Sequence, residues 1–182
     1  MAQHHISKYE LKWAIFHPYA ALKVKYQLPK AMSIYKEVKQ LNLLDSLEFG
    51  GKLDAFRHSF TMAYLVQGMK TKKLRRLGIA HEKGNKHQFK KHQQEFGERA
   101  DSLACEMDLR NNELGFLIGK KHPTSSIQEL KQLVIFEINN GNAWYLKRNP
   151  QNKYVSCSNE IIDMSTYDRI WSIPKCLIKS NE

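Results

Sequence analysis

The sequence predicts one mainly α-helical domain with a small β-hairpin near its C-terminus. Its 182 residues, of which 42% are hydrophobic, are enough for a single domain with a sizeable core. Apolar residues recur at helical spacing over most of the chain. Only the last part, 141–182, carries short strand-like runs separated by turn residues. We therefore expect three parts of one domain: N-terminal helices over 1–49, a helical core over 50–140, and a hairpin with a tail over 141–182.

The N-terminal part is predicted to contain three short helices. His17-Pro18 separates the first two, and Pro29 is expected to open the third because proline suits the first turn of a helix. Gly50-Gly51 then breaks the chain before the helical core. The three helices are expected over 7–16, 18–27 and roughly 30–42.

The helical core is predicted to contain four helices. Thr71 is expected to cap the second, which should end near Gly84-Asn85. Asp101 or Ser102 can cap the third, and the box Ser126…Glu129 starts the fourth. The polar stretch 86–97 is expected to be an exposed helix or a lid. The four helices are expected over 53–69, 72–82, 102–120 and 127–140.

The C-terminal part is predicted to form a hairpin. AWYLKR and KYVSC would be its strands, with Asn149-Pro150 and Asn152 in the turn. The three cysteines form no CxxC pair, which makes a thiolate zinc site a poor explanation for them. A disulfide between Cys157 and Cys176 is compatible with the sequence, although nothing in the sequence favours it.

The chain is strongly basic, with 29 Lys and Arg against 18 Asp and Glu and a formal net charge of +11. This balance favours an anionic substrate or ligand, nucleic acid, or an acidic membrane surface, although scattered lysines also serve simply to keep a protein in solution. No run approaches the roughly 20 apolar residues of a transmembrane segment. We expect a soluble, cytoplasmic protein, while export without a signal peptide stays compatible with the sequence. The oligomeric state cannot be predicted.

Polar residues stand inside a helix that is otherwise apolar on almost every side, LDAFRHSFTMAYLVQGM (53–69). Such a helix is normally buried, and a buried charge is unfavourable unless it is paired, hydrogen-bonded or bound to a metal. Asp54 and His58 are four residues apart, so their side chains can converge, and Arg57 lies beside them. Helix-dipole stabilisation could explain Asp54 alone, but it does not explain Arg57.

A second and a third segment show the same anomaly. In LACEMDLRNNELGFLIG (103–119), a stripe of polar and small residues separates two apolar faces. It consists of Asp108, Asn112, Gly115 and Gly119, with Asn111 at its margin. His81-Glu82 ends the predicted basic helix, and an acid is disfavoured at a helix C-terminus. Tight helix packing through the glycines, with both asparagines hydrogen-bonded in the core, is the structural alternative.

These three segments together supply carboxylates, imidazoles and amides that suit a divalent cation beside a general base. A metal-free pair, with His58 or His81 as the base and Arg57 holding an anion, is also compatible. Alternatively, the same groups form a structural network in which Arg57 pairs with Asp108 or Glu82. No HExxH, P-loop or GxSxG motif is present.

Three motifs, DAFRH (54–58), AHEKGN (80–85) and MDLRNNELG (107–115), resemble a bacterial domain family of unknown function. The tail, GNAWYLKRNPQNKYVSC…WSIPKCLI, is similar to that of a Bacteroidetes-type subgroup, and the resemblance spans roughly 50–177. The family signature has His where Arg110 stands, which argues against a role for position 110. Members resembling this domain end large secreted and toxin-like proteins, which implies a hydrolase acting on a cellular target.

Our leading hypothesis from the sequence is a small hydrolase, most plausibly a metal-dependent phosphoesterase, with its site between buried helices. Its alternatives are a non-enzymatic binding or structural domain and a basic nucleic-acid-binding module that uses residues 70–92. The expected roles are as follows: Asp54, His58 and Asp108 as metal or base cluster, His81 or Glu82 as general acid/base, Arg57 as stabiliser of developing charge, and Asn111 and Asn112 as substrate-binding residues.

Overall fold

The computed structural model describes residues 6–94 and 96–182, and it confirms the mainly α class with a small antiparallel sheet near the C-terminus. None of the described helices is long and apolar enough to cross a membrane. The helices are α1 (Lys8–Phe16), α2 (Pro18–Gln40), α3 (Lys52–Val66), α4 (Thr71–Phe89), α5 (Ser102–Lys121) and α6 (Ile127–Asn139). The strands are β1 (Trp144–Leu146) and β2 (Leu177–Lys179), with a 3₁₀ turn at Met164–Tyr167 between them.

Helix α3 is the central element, and nearly all of its residues are buried. Helices α2, α5 and α6 pack around it. On α3, Phe56 and Phe60 stack with ring centroids 5.1 Å apart and lie in the main core cluster. Ile34 of α2 and Val134 of α6 belong to the same cluster. The apolar pattern of this segment therefore reflects burial on almost every side.

Helix α2 corrects the predicted break at Pro29, since it runs without interruption from Pro18 to Gln40 with Pro29 inside it. An internal proline removes a backbone hydrogen bond and costs about 3 kcal/mol. Both halves of α2 are anchored by buried residues, Ala20 in the first and Ala31 and Val38 in the second. Packing along the whole helix therefore outweighs the local preference for a break.

Helix α4 also runs further than predicted, beyond Gly84-Asn85 to Phe89. Gly84 lies against α1, where an added Cβ would sit 2.8 Å from the side chain of Ser7. Asn85 is buried and donates through Nδ2 to Glu82 Oε2 at 2.9 Å. Both residues therefore make packing contacts, and α4 continues through them. Of the stretch 86–97, residues 86–89 belong to α4.

The predicted hairpin forms only next to its turn, and β1 takes a different partner. Asn149 accepts from the backbone N–H of Lys153 at 2.9 Å, and a single bridge joins Arg148 to Tyr154. Strand β1, however, pairs with β2 in antiparallel register, with Tyr145 opposite Ile178. The local turn is thus retained, while the C-terminal segment supplies the partner strand.

The C-terminal segment is tied down covalently and electrostatically. A disulfide joins Cys157 to Cys176. Next to it, Lys175 Nζ lies 2.5 Å from Asp101 Oδ2, and both side chains are fully buried. Asp101 caps α5 by accepting from the backbone N–H groups of Leu103 and Ala104. The disulfide region therefore supports the N-terminus of α5, the helix that carries Asp108.

Candidate metal and proton-transfer site

Asp54 is held at the N-terminus of α3 by backbone and side-chain donors. Its Oδ2 accepts from the Gly50 N–H at 2.7 Å, and its Oδ1 accepts from Arg57 Nε at 3.0 Å and Nη2 at 2.7 Å. The Asp54 side chain is only 2% exposed. Arg57 thus pairs with Asp54, a partner that the structural alternative from the sequence did not name.

His58 lies between two carboxylates. Its Nε2 is 3.5 Å from Asp54 Oδ1, one turn earlier on α3, and 3.2 Å from Asp108 Oδ1 on α5. All three residues are buried. Each offers one ligand atom, and these atoms lie within 4.8 Å of one another. The structure therefore brings together the three residues that the sequence suggested as metal ligands.

His81 joins this cluster from α4, with its ring centroid 6.4 Å from that of His58. Its Nδ1 lies 3.0 Å from Oε1 of Glu10 on α1. Burial raises the pKa of Glu10, but the hydrogen bond and charge of His81 together with the Ser7 hydrogen bonds outweigh burial and lower that pKa to about 2. Glu10 and His81 therefore form an imidazole–carboxylate pair at the edge of the buried cluster.

Sequence reasoning missed Glu10. The signal that was present is the capping box of α1, in which the Ser7 hydroxyl accepts from the Glu10 N–H and Glu10 Oε2 accepts from the Ser7 N–H. That box fixes one carboxylate oxygen and leaves the other directed at His81. No sequence pattern predicts that α1 lies against α4, because this contact spans 71 positions.

Glu82 belongs to a different environment from its neighbour His81. It is buried, accepts from Asn85, and has the thiol of Cys105 beside it. Burial raises the pKa of Glu82 and also that of the Cys105 thiol. Consecutive residues point about 100° apart on a helix, so Glu82 turns towards α5 while His81 turns towards α1. Of the two expected acid/base residues, His81 places its ring next to that of His58, while Glu82 hydrogen-bonds to Asn85 on its own helix.

The two asparagines occupy different positions. Asn111 uses its whole amide on β1, donating to the Trp144 carbonyl and accepting from the Trp144 N–H, both at 2.9 Å. It therefore joins α5 to the sheet, which is a structural task instead of the expected substrate contact. Asn112 is buried against α4, where an added Cβ on Gly78 would lie 3.0 Å from its Nδ2.

Taken together, the site contains a candidate cation cluster, an arginine beside it and a second imidazole at its edge. Two carboxylates and one imidazole are a donor set that fits Mn²⁺, Mg²⁺ or Zn²⁺. Asp54 is shared with Arg57, so a bound cation would compete with the guanidinium for Oδ1. Three protein ligands also leave coordination positions for water and substrate.

A family profile described as "Domain of unknown function (DUF6973)" matches residues 11–142. The match begins well before the range 50–177 of the motif resemblance, and it includes the last six residues of α1 and all of α2. It contains all the site residues described above except Glu10, which immediately precedes it. No curated protein and no solved structure matches the chain.

Proposed function

The chain belongs to the DUF6973 family of domains of unknown function, and we propose that it is a small metal-dependent hydrolase acting on phosphate esters. The observation that carries this proposal is the convergence of Asp54, His58 and Asp108, whose ligand atoms lie within 4.8 Å of one another. These residues come from two helices, and a structural core does not require them to meet. The net charge of +11 favours an anionic substrate.

Each residue of the site has a chemical task in this proposal. Asp54, His58 and Asp108 hold the cation, which supplies a Lewis acid for phosphoryl oxygens and a more acidic water. Arg57, only 12% exposed, stabilises negative charge as it develops on the phosphoryl group. His81 transfers the proton through Nε2, while Glu10 orients the ring through Nδ1.

A structural network is the second candidate, and a specific observation favours it. Asp54 already accepts from Gly50 and Arg57, so its charge is balanced without a cation. In that case the cluster holds α3 and α5 together. Removal of one partner from a buried charged network costs about 3–5 kcal/mol. The two functions therefore differ in what Asp108→Asn changes.

The test combines metal binding, turnover and stability. Calorimetric titration with Mn²⁺, Mg²⁺ and Zn²⁺ is run beside assays with p-nitrophenyl phosphate and bis-p-nitrophenyl phosphate. We expect His58→Ala and Asp108→Asn to weaken metal binding by about tenfold or more and to abolish turnover. Glu106→Gln is the matched control, since Glu106 is an exposed acid on the same helix, paired with Arg110.

Two outcomes contradict the hydrolase. Wild-type protein without turnover on either ester, or turnover that survives the double substitution of His58 and Asp108, removes the enzymatic proposal. If Asp108→Asn instead lowers the melting temperature of the metal-free protein by several degrees while metal affinity is absent throughout, the structural network is the correct account.

The disulfide bears on the compartment in which the domain acts. The sequence favours the cytoplasm, but disulfides persist mainly in oxidising environments and are rare in the cytosol. Because Cys157 and Cys176 are joined, we infer that the domain acts in an oxidising compartment. Thiol labelling of protein isolated from its native host measures this directly, since two blocked cysteines support an oxidising setting and three reactive ones oppose it.

A further inference from the structure

A groove of about 310 Å³ lies between α4 and α5, on the side of α4 away from α1. Ile79 and Leu109 form apolar walls, and the indole of Trp171 lines it as well. Trp171 is held by an edge contact with Phe89, with ring centroids 5.1 Å apart. The groove thus offers an apolar, aromatic surface on which a flat ring could stack.

A buried carboxyl group lines the same groove. Glu82 is 7% exposed, and its Oε2 accepts from Asn85. Its Oε1 has no N–H or O–H donor among the described residues, and the weakly donating thiol of Cys105 lies beside the carboxyl group. A buried carboxylate oxygen without a good donor is unfavourable, in agreement with the raised pKa of Glu82, and an N–H from a ligand would stabilise the carboxylate form.

Positive charge lines the rim. Lys83 and Lys86 are exposed, and Lys86 Nζ lies 5.6 Å from the centre of the Trp171 ring. Glu106, the acidic residue at the rim, is paired with Arg110. A phosphate group attached to a ring that stacks on Trp171 would therefore lie near two lysines. Glu106 would repel it little, because Arg110 balances the charge of that carboxylate.

We propose that this groove binds a nucleoside monophosphate whose base carries a ring N–H. The base stacks on Trp171 and donates that N–H to Glu82 Oε1, and the phosphate contacts Lys83 and Lys86. The site is separate from the cation cluster and goes beyond the proposed hydrolase, because binding here requires neither a metal nor turnover.

The experiment is calorimetric titration of the full chain with guanosine 5′-monophosphate, in EDTA at low salt. Adenosine 5′-monophosphate is the paired ligand, because adenine has no ring N–H to donate. We expect the guanosine nucleotide to bind about tenfold more tightly than the adenosine nucleotide. Trp171→Ala should weaken binding by about tenfold, the usual scale for loss of one stacked base.

Matched variants separate the site from general charge effects. Lys86→Ala should weaken binding several-fold, whereas Lys120→Ala, an exposed lysine outside the groove, should not change it. Glu82→Gln should reduce the preference for the guanosine nucleotide. Because Trp171→Ala removes a contact with Phe89, Trp171→Phe serves as a second variant that keeps a ring.

Three results overturn the proposal. These are the absence of measurable binding of the guanosine nucleotide at millimolar concentration, equal affinity for both nucleotides in the wild type, and equal losses in Lys86→Ala and Lys120→Ala. Because EDTA removes the cation, each result leaves the proposed hydrolase untouched, and failure of the hydrolase likewise leaves this binding site standing.

Discussion

At the scale of single residues, the central finding is how buried charge is balanced. Asp54 looks unfavourable inside an apolar helix, but its carboxylate accepts from a backbone N–H and from Arg57. His58 then lies between this carboxylate and that of Asp108. Charge that is hydrogen-bonded in this way can remain buried. Such pairing explains why the core tolerates these charged residues. The proposed chemistry depends on their position next to His81.

Glu10 gives a prediction about pH. Its pKa falls from 4.5 to about 2 in the folded protein, chiefly because the hydrogen bond and charge of His81 outweigh burial. A carboxylate with a depressed folded pKa stabilises the protein above its unfolded pKa and loses that contribution as pH falls through the folded pKa. The melting-temperature gap between wild type and Glu10→Gln should therefore shrink between about pH 4.5 and pH 2.

The control for this measurement is Glu113→Gln. Glu113 pairs with Arg75 on the surface, where both side chains are roughly half exposed, so its effect should be small throughout. A gap for Glu10→Gln that stays constant down to pH 2 would show that the Glu10–His81 pair does not contribute to stability.

At the scale of elements, the contact between α3 and α5 positions the cluster. Gly115 and Gly119 let the helices approach so closely that an added Cβ would lie 2.2 Å from the carbonyl oxygens of Ser59 and Ala63, respectively. His58 and Asp108 meet because these backbones are close. The glycines in the stripe that the sequence showed beside Asp108 are therefore packing residues, as the structural alternative proposed.

Gly115→Ala should destabilise the protein, even though alanine favours helix formation by nearly 1 kcal/mol. The added methyl group would force the backbones apart, and such overpacking costs about 1–3 kcal/mol or more. Urea unfolding followed by circular dichroism measures this change. Gly68→Ala is the control, because the nearest atom to its Cβ would be 3.7 Å away on an exposed surface. Equal stability of the two variants would contradict the close crossing.

At the scale of the whole molecule, the C-terminal segment closes the fold. It supplies β2 to the sheet and Lys175 to Asp101 at the start of α5. The disulfide fixes this segment to the region after β1. Loss of the disulfide should therefore also perturb the start of α5 and, through that helix, the position of Asp108.

Loss of the disulfide should lower stability by about 3 kcal/mol, since it closes a loop with a sequence separation of 19. Thermal melting of the wild type with and without a reductant measures the effect. The variant with Cys157→Ser and Cys176→Ser should match the reduced wild type and should no longer respond to reductant. If the reductant lowers the melting temperature of that variant equally, the effect lies elsewhere.

Local rules in the sequence determined most helix ends and the identity of the cluster. The capping box at Ser126 and the cap at Asp101 form as expected because they depend on residues two or three positions apart. Likewise, periodicity alone placed Asp54 and His58 on adjoining turns of one buried helix.

Tertiary structure decided what depends on distant contacts. Packing keeps α2 continuous through Pro29, α1 brings Glu10 to His81, and the C-terminus replaces the expected hairpin partner of β1. These outcomes depend on surfaces buried between segments far apart in the chain, and no local pattern records that burial. The sequence by itself therefore determined which residues could form a site, and only the packed fold decided which of them meet.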